Sequence, residues 1–165
     1  MQRIGLILLM MNLGFALSAQ PVIGDEVKLI DKADYFSHEN LALEIIDWLT
    51  ENPLDSSEYL RSEFNAFGME WLSGHPSLKV ELESEIMPFA AEYPDLLFIH
   101  ALASAKYLFQ HPESSKIEYN VHGLKAVCKS VKMSKGLADS KALTDIVKLC
   151  DDNLLEGWVT SRIQD

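Results

Sequence analysis

The chain has 165 residues, 48% of them hydrophobic and 24% charged, which fits one globular domain and excludes a disordered chain. The formal net charge of −11 is unevenly distributed: residues 20–100 hold 17 acidic and 4 basic side chains, whereas residues 101–165 hold 8 and 9. Because a strongly acidic half repels phosphate backbones, nucleic acid is excluded as the expected partner.

The first predicted element is a secretory signal peptide at residues 1–19. Arg3 supplies the positive charge, residues 4–17 are an apolar stretch, and small residues surround an expected cleavage site after Ala19. The apolar stretch is shorter than the roughly 20 residues of a membrane span. We therefore expect an exported protein, periplasmic or extracellular, with no membrane span after cleavage; an uncleaved anchor or a buried N-terminal helix is the alternative. Residues 20–36 should follow as an exposed leader.

Two amphipathic helices are expected next. The first should begin at Ser37, whose hydroxyl can accept hydrogen bonds from the free amides of a first turn, and should end at Pro53. The second should run from about Ser56 to Gly74, with Asp55 as its N-cap. Its aromatic residues recur every third or fourth position and are expected to face the core.

Residues 77–94 mix two periodicities. Apolar and charged residues alternate at 78–83, which favours an extended entry, although a helical conformation stays open there. The later apolar positions indicate a helix that ends before Pro94 and is kinked near Pro88. No partner strand is visible, so no sheet is expected.

Residues 95–109 are apolar nearly all round, which is typical of a helix surrounded by other helices. A fifth helix should open with a capping box formed by Ser115 and Glu118 and end near Ser134. A sixth should begin near Asp139 or Ser140, with Leu154 and Trp158 among its inward-facing residues. The sequence thus predicts an all-α domain at residues 37–165, with five to six antiparallel helices around 95–109, either a bundle or a short stack of helical hairpins.

One segment recurs in the sequence. DWLTENP (47–53) returns as EWLSGHP (70–76) and as KYLFQHP (106–112). The copies are 23 and 36 residues apart, whereas a solenoid keeps a constant period. Because the residue before a proline is pushed out of helical geometry, we interpret all three copies as helix C-termini.

Cys128 and Cys150 are the two cysteines, and an oxidising compartment would favour a bridge between them. Both lie on the apolar stripes of neighbouring predicted helices. In a simple hairpin, Cys150 falls about one turn too far along to lie level with Cys128. Two buried thiols are therefore the favoured expectation, and a disulfide is the alternative.

Lys125, Lys129 and Lys132 follow helical spacing opposite an apolar stripe. A basic docking face is one interpretation of this pattern. A solvated face whose lysines pair with acidic residues elsewhere is the favoured one.

The five histidines match no metal or catalytic pattern. No two are spaced i, i+4, and the sequence contains no calcium loop, nucleophile elbow, phosphate-binding glycine loop or redox cysteine pair. His100 and His122 are the remaining pocket candidates, because they could face each other across a helical hairpin; a hydrogen-bonded core or boundary histidine is the favoured alternative. We predict no catalytic, metal-binding or cofactor-binding residue and no cofactor.

Four short stretches carry a family resemblance: HPS (75–77), YPDLLF (93–98), AKYLF (105–109) and DDNLLEGWV (151–159). On these residues the chain resembles small secreted all-helical bacterial proteins of unknown function. The resemblance implies an exported helical protein and supplies no functional residue.

The leading functional expectation is a non-enzymatic exported module that binds another protein or an envelope component. Its acidic N-terminal half is the expected contact surface. The alternative is a small-ligand-binding protein or enzyme with a pocket near His100 and His122.

Overall fold

The computed structural model describes residues 20–137 and 139–163, so the predicted signal peptide lies outside the described residues. This part of the chain folds into seven α-helices and one short 3-10 helix (Ser84–Ile86), and it contains no β-strand. The prediction of an all-α fold is confirmed. The α-helices are α1 (Lys32–Ser37), α2 (Glu39–Glu51), α3 (Glu58–Gly74), α4 (Pro94–Gln110), α5 (Lys116–Met133), α6 (Lys141–Asp151) and α7 (Leu155–Thr160).

The core is built around the pair formed by α4 and α5, which pack together more extensively than any other two helices. α2 and α3 pack against α4, while α6 and α7 pack against α5. On α4 nearly every residue from Leu96 to Ala105 is buried, as its apolar sequence indicated. None of the helices in the described ranges combines the length and the apolar character needed to cross a membrane.

All three copies of the repeated segment end a helix. The residue before each proline is the C-cap of α2, α3 or α4, and its N–H donates to the carbonyl of the aromatic residue four positions earlier. The donor–acceptor pairs are Asn52–Trp48 (3.1 Å), His75–Trp71 (2.9 Å) and His111–Tyr107 (2.8 Å). The interpretation of the segment as helix C-termini is confirmed.

The helical domain begins earlier than Ser37, and that predicted start is wrong. Asp31 caps α1 by accepting hydrogen bonds from the N–H groups of Ala33 (2.8 Å) and Asp34 (3.2 Å). Asp34 reciprocates by accepting from Ile30 (2.8 Å) and from Asp31 (3.0 Å), so the pair forms a capping box. Ser37 is the last residue of α1.

The segment before α1 is only partly an exposed leader. Ile23, Val27 and Leu29 pack against the core, whereas Ile30 is 78% exposed. The predicted N-cap of α3 is also wrong: Ser57, and not Asp55, accepts the hydrogen bond of the first turn.

Residues 78–83 carry no helix or strand, as the extended interpretation indicated. Tyr119 and Asn120 of α5 hold this segment by hydrogen bonds to the backbone of Glu81. The helix expected after it does not form, and the 3-10 turn is followed by consecutive turns up to Pro94. Pro88 has no N–H to donate, which explains why a continuous helix is absent here.

The predicted sixth helix is divided into α6 and α7. Asn153 adopts a left-handed conformation with φ 56°, which an asparagine tolerates better than most residues. Leu154, expected to face inward, is 58% exposed.

Cys128 and Cys150 form a disulfide that joins α5 to α6, with a Cα–Cα distance of 6.7 Å. The favoured expectation of two thiols is therefore not what the structure contains. That expectation assumed a simple hairpin, in which the second helix is not displaced along the axis of the first. The observed distance shows that α5 and α6 take a different register along their axes.

Candidate functional site

His100, the first predicted pocket residue, is sealed in the interface between α4 and α5 with no exposed surface. Neither ring nitrogen makes a hydrogen bond of good geometry. Burial lowers the pKa of His100 to about 4, and the nearby backbone of Asn120 opposes this shift only weakly. His100 is therefore neutral at neutral pH and belongs to the core.

His122, the second predicted pocket residue, lies on the surface and stacks on Tyr107, with ring centroids 4.5 Å apart. Partial burial lowers the pKa of His122, and the positive charges of Lys125, His111 and Lys106 lower it further. Two shallow clefts, of about 260 and 200 Å³, contain His122, and neither contains His100. The two candidates are thus not gathered into one pocket.

The histidine that meets a carboxylate is His75, which the sequence assigned only to a helix end. Its Nε2 lies 3.2 Å from Glu39 Oε1, and its Nδ1 accepts a hydrogen bond from the Ser77 N–H at 3.3 Å. Because Nδ1 accepts, Nε2 carries the hydrogen and donates it to Glu39. Both ring nitrogens are therefore occupied, and the pair fastens the end of α3 to the start of α2.

Two of the three lysines in the predicted pattern, Lys129 and Lys132, pair with acidic residues of other helices. Lys129 pairs with Glu51 of α2, and Lys132 pairs with Asp151 of α6. This arrangement agrees with the interpretation of a solvated, ion-paired face. A basic docking face is correspondingly less well supported.

A different cleft combines a buried charge with unpartnered polar atoms. It has a volume of about 460 Å³ and lies where the α2–α3 connection, α3 and the start of α4 meet. We call it the Arg61 cleft; its polar lining is formed by Glu58, Arg61, Ser62, Asn65 and Asp95. The four residues from α3 lie on one helix face because they are spaced three to four positions apart.

Arg61 is only 4% exposed and is held rigidly by the end of α2. Its Nε donates to the Pro53 carbonyl (3.0 Å), and its Nη2 donates to the carbonyls of Leu49 (3.2 Å) and Asn52. The guanidinium thus satisfies carbonyls that a helix C-terminus leaves free, at the negative end of the helix dipole. Burial lowers the pKa of Arg61, while Asp95 and Asp55 oppose the shift, and the group stays charged. Among the described residues, its Nη1 has no hydrogen-bond partner.

Asn65, one turn further along α3, is 6% exposed. Its Nδ2 donates to Asp95 Oδ1 at 3.3 Å, whereas its Oδ1 has no partner. A buried polar atom without a partner destabilises the fold by roughly 1–3 kcal/mol. One donor and one acceptor without partners therefore lie buried on adjacent turns of α3, in residues that line the cleft.

No family model, curated protein or solved structure matches this chain. The resemblance to small secreted helical proteins therefore stays an expectation. Within residues 20–137 and 139–163, no three His, Cys, Asp or Glu side chains are grouped as metal ligands. The Arg61 cleft combines an apolar wall with a few polar side chains, a combination that is typical of binding sites.

The sequence contained a weak signal for this site. Arg61 is the only basic residue between Lys32 and Lys79, in a region dominated by acidic side chains. An isolated cation of this kind is expected to have a specific partner. That its partners are backbone carbonyls of α2, and that Asp95 meets Asn65, depends on the tertiary fold.

Proposed function

We propose that the protein is an exported, non-enzymatic helical module that binds another protein or an envelope component through the Arg61 cleft. The observation that carries this proposal is the buried Arg61, anchored by three backbone carbonyls and left with an unpartnered Nη1. A rigid, desolvated donor at a concave surface is suited to recognition, because little entropy is lost when a ligand docks against it. The cleft lies in the acidic N-terminal half, the contact surface expected from the charge distribution.

The environments of His100 and His75 argue against either histidine acting as a catalytic acid or base. General acid–base catalysis needs a titratable group within hydrogen-bond reach of a substrate. His100 has no solvent access, and His75 has both ring nitrogens occupied. A pocket near His100 and His122, the alternative from the sequence, has correspondingly weak support.

The disulfide between Cys128 and Cys150 supports export. Structural disulfides persist in oxidising compartments and are rare in the cytosol. The signal-peptide pattern at residues 1–19 points the same way. Fractionation of the native cells tests export, and we expect the protein in the periplasmic or secreted fraction. Mass spectrometry of the purified protein tests cleavage and the disulfide, and we expect a chain that lacks residues 1–19 and contains no free thiol.

Affinity capture with matched variants tests the binding function. Ala66 is exposed and lines the Arg61 cleft, so Ala66→Trp fills the cleft from its rim. Ala33 is also an exposed helical alanine, but it lies on α1, outside the cleft, so Ala33→Trp is the control. We expect partners captured by the wild type and by Ala33→Trp to be lost from Ala66→Trp. If both variants capture the same set, the Arg61 cleft is not the binding site.

A further inference from the structure

The Arg61 cleft holds more hydrogen-bond acceptors than hydrogen-bond donors. One donor, Arg61 Nη1, lacks a partner. The acceptors are Asn65 Oδ1, also without a partner, and the carboxylates of Glu58 and Asp95, while the Ser62 hydroxyl can donate or accept. A ligand that matches this set offers more donor hydrogens than acceptor atoms. A protonated amine offers three donor hydrogens and no acceptor.

Charge points to the same ligand. The lining carries one positive side chain, Arg61, and two negative ones, Glu58 and Asp95. A ligand cation is therefore attracted, whereas the positive charge of Arg61 is already balanced by Asp95 and Asp55, which act on its pKa from nearby. The Arg61 donor is consequently suited to a neutral carbonyl oxygen as well as to a carboxylate.

The two side chains that carry the unpartnered atoms are neighbours. Arg61 and Asn65 are four residues apart on α3 and so lie on one helix face, with Cβ atoms about 5–6 Å apart. The first residue of a polypeptide carries a donor and an acceptor close together, because one Cα atom separates its α-ammonium from its carbonyl. Leu54, Met69 and Phe98 provide an apolar wall for its side chain.

We propose that the Arg61 cleft binds the free amino terminus of a polypeptide whose first side chain is apolar. The α-ammonium donates to Asn65 Oδ1 and to Asp95, and the first carbonyl oxygen accepts from Arg61 Nη1. This inference rests on the proposed binding function of the same cleft. A polypeptide fits better than a free amino acid, because the free carboxylate of an amino acid would place a negative charge against a lining that is already net acidic.

Entry of the ligand requires a small movement. Arg61 Nη1 and Asn65 Oδ1 are both closed to solvent, so a half-buried side chain such as Leu54 or Met69 has to swing away. The hydrogen bonds then form in a medium of low dielectric constant, where they are stronger than in water. This burial provides discrimination, because a ligand without the ammonium leaves the Asn65 oxygen unsatisfied.

A matched pair of peptides tests the proposal by isothermal titration calorimetry on the purified, disulfide-bonded protein. Leu-Gly-Gly amide and its N-acetyl form differ only in the ammonium. We expect the free-amine peptide to bind at least about tenfold more tightly, as expected for a hydrogen bond to a charged group. Its affinity should fall as the pH passes about 8, where an α-amino group loses its proton, and the acetylated peptide should show no such change.

Three variants test whether the free-amine peptide binds in the Arg61 cleft. Ala66→Trp should abolish binding of the free-amine peptide, and Ala33→Trp should leave it unchanged. Asp95→Asn should weaken it severalfold while leaving the far-ultraviolet circular dichroism unchanged, because Asp95 is exposed. Free leucine is the third probe and should bind more weakly than the tripeptide.

Several outcomes would overturn the inference. Equal binding of the acetylated and free-amine peptides would show that the cleft does not recognise an ammonium. Tighter binding of free leucine would identify an amino acid, not a polypeptide, as the ligand. Absence of binding by both peptides, while Ala66→Trp still loses its cellular partner, would refute this ligand class and leave the proposed function standing.

Discussion

Replacement of Gly123 by alanine should weaken the packing of α4 against α5. A Cβ atom at this position would lie 2.2 Å from Ser104 Oγ and 2.7 Å from the His100 carbonyl oxygen. The Ser104 hydroxyl can rotate away, but the carbonyl belongs to the backbone of α4. The two helices would therefore have to separate at the centre of the core. Gly157 on α7 provides a matched control, because nothing lies within 4 Å of its added Cβ.

Two opposing terms set the magnitude. Alanine stabilises a helix over glycine by up to about 1 kcal/mol at either position. Insertion of a methyl group into a closely packed interface costs about 1–3 kcal/mol, and more where backbone must move. We therefore expect Gly123→Ala to lower the free energy of unfolding by about 1–2 kcal/mol. Gly157→Ala should raise it by about 0.5 kcal/mol, since its helix is short.

Urea and thermal denaturation of the oxidised protein measure both effects. For a domain of this size, 1 kcal/mol corresponds to about 2–4 °C in the melting temperature. The double variant Gly123→Ala/Ser104→Ala should recover only part of the loss, because it removes the hydroxyl contact and leaves the carbonyl contact. If Gly123→Ala were as stable as Gly157→Ala, the close approach of α4 and α5 at this glycine would be wrong.

Three further predictions concern the disulfide, the buried arginine and the buried histidine. Reduction of the Cys128–Cys150 bridge, which spans 22 positions, should lower the free energy of unfolding by about 3 kcal/mol; an unchanged urea midpoint in reductant would contradict the bridge. Arg61→Met should lower the free energy of unfolding by about 2–4 kcal/mol, because it leaves three backbone carbonyls without their donor. The control is Arg162→Met at an exposed position, which should change the free energy of unfolding by less than about 0.5 kcal/mol. Similar urea midpoints for the two variants would contradict the role of Arg61 as a cap of α2. The pKa of His100 is lowered from 6.5 to about 4, so the unfolded chain binds a proton that the folded chain does not. The contribution of neutral His100 to the free energy of unfolding is therefore complete above pH 6.5. It falls by up to about 3 kcal/mol as the pH drops to 4. His100→Leu should show a smaller loss over this range in urea titrations, and equal slopes would refute the neutral state of His100.

The features that the sequence predicted correctly are local. A proline after asparagine or histidine ends a helix wherever it occurs, and the capping box of Ser115 and Glu118 opens α5 where it was expected. The apolar composition of 95–109 likewise required burial. These predictions needed only the side chains within one or two turns.

The errors lie where local signals compete or tertiary contacts decide. Asp31 and Asp34 form a capping box of two aspartates, which the Ser/Thr–Glu pattern does not describe. Asn153 breaks one apolar stripe into two helices by adopting a left-handed conformation that no periodicity reveals. The pairing of Cys128 with Cys150 depends on how α6 is displaced along α5.

Only a weak signal for the candidate site is present in the sequence, because the partners of Arg61 are set by the tertiary fold, and this residue has two roles. The Arg61 guanidinium uses Nε and Nη2 to hold the carbonyls at the end of α2, and only Nη1 is left for a ligand. A substitution of Arg61 would therefore remove the helix cap and the ligand contact together, and loss of binding in that variant would not separate the two. Substitutions at the rim avoid this ambiguity, because Ala66 and Asp95 are exposed and hold no backbone carbonyl of α2. If Arg61 is primarily a cap, Ala66→Trp and Asp95→Asn should leave binding intact. If its remaining donor is a recognition group, Ala66→Trp should abolish binding and Asp95→Asn should weaken it severalfold, while the melting temperature of both variants stays close to that of the wild type.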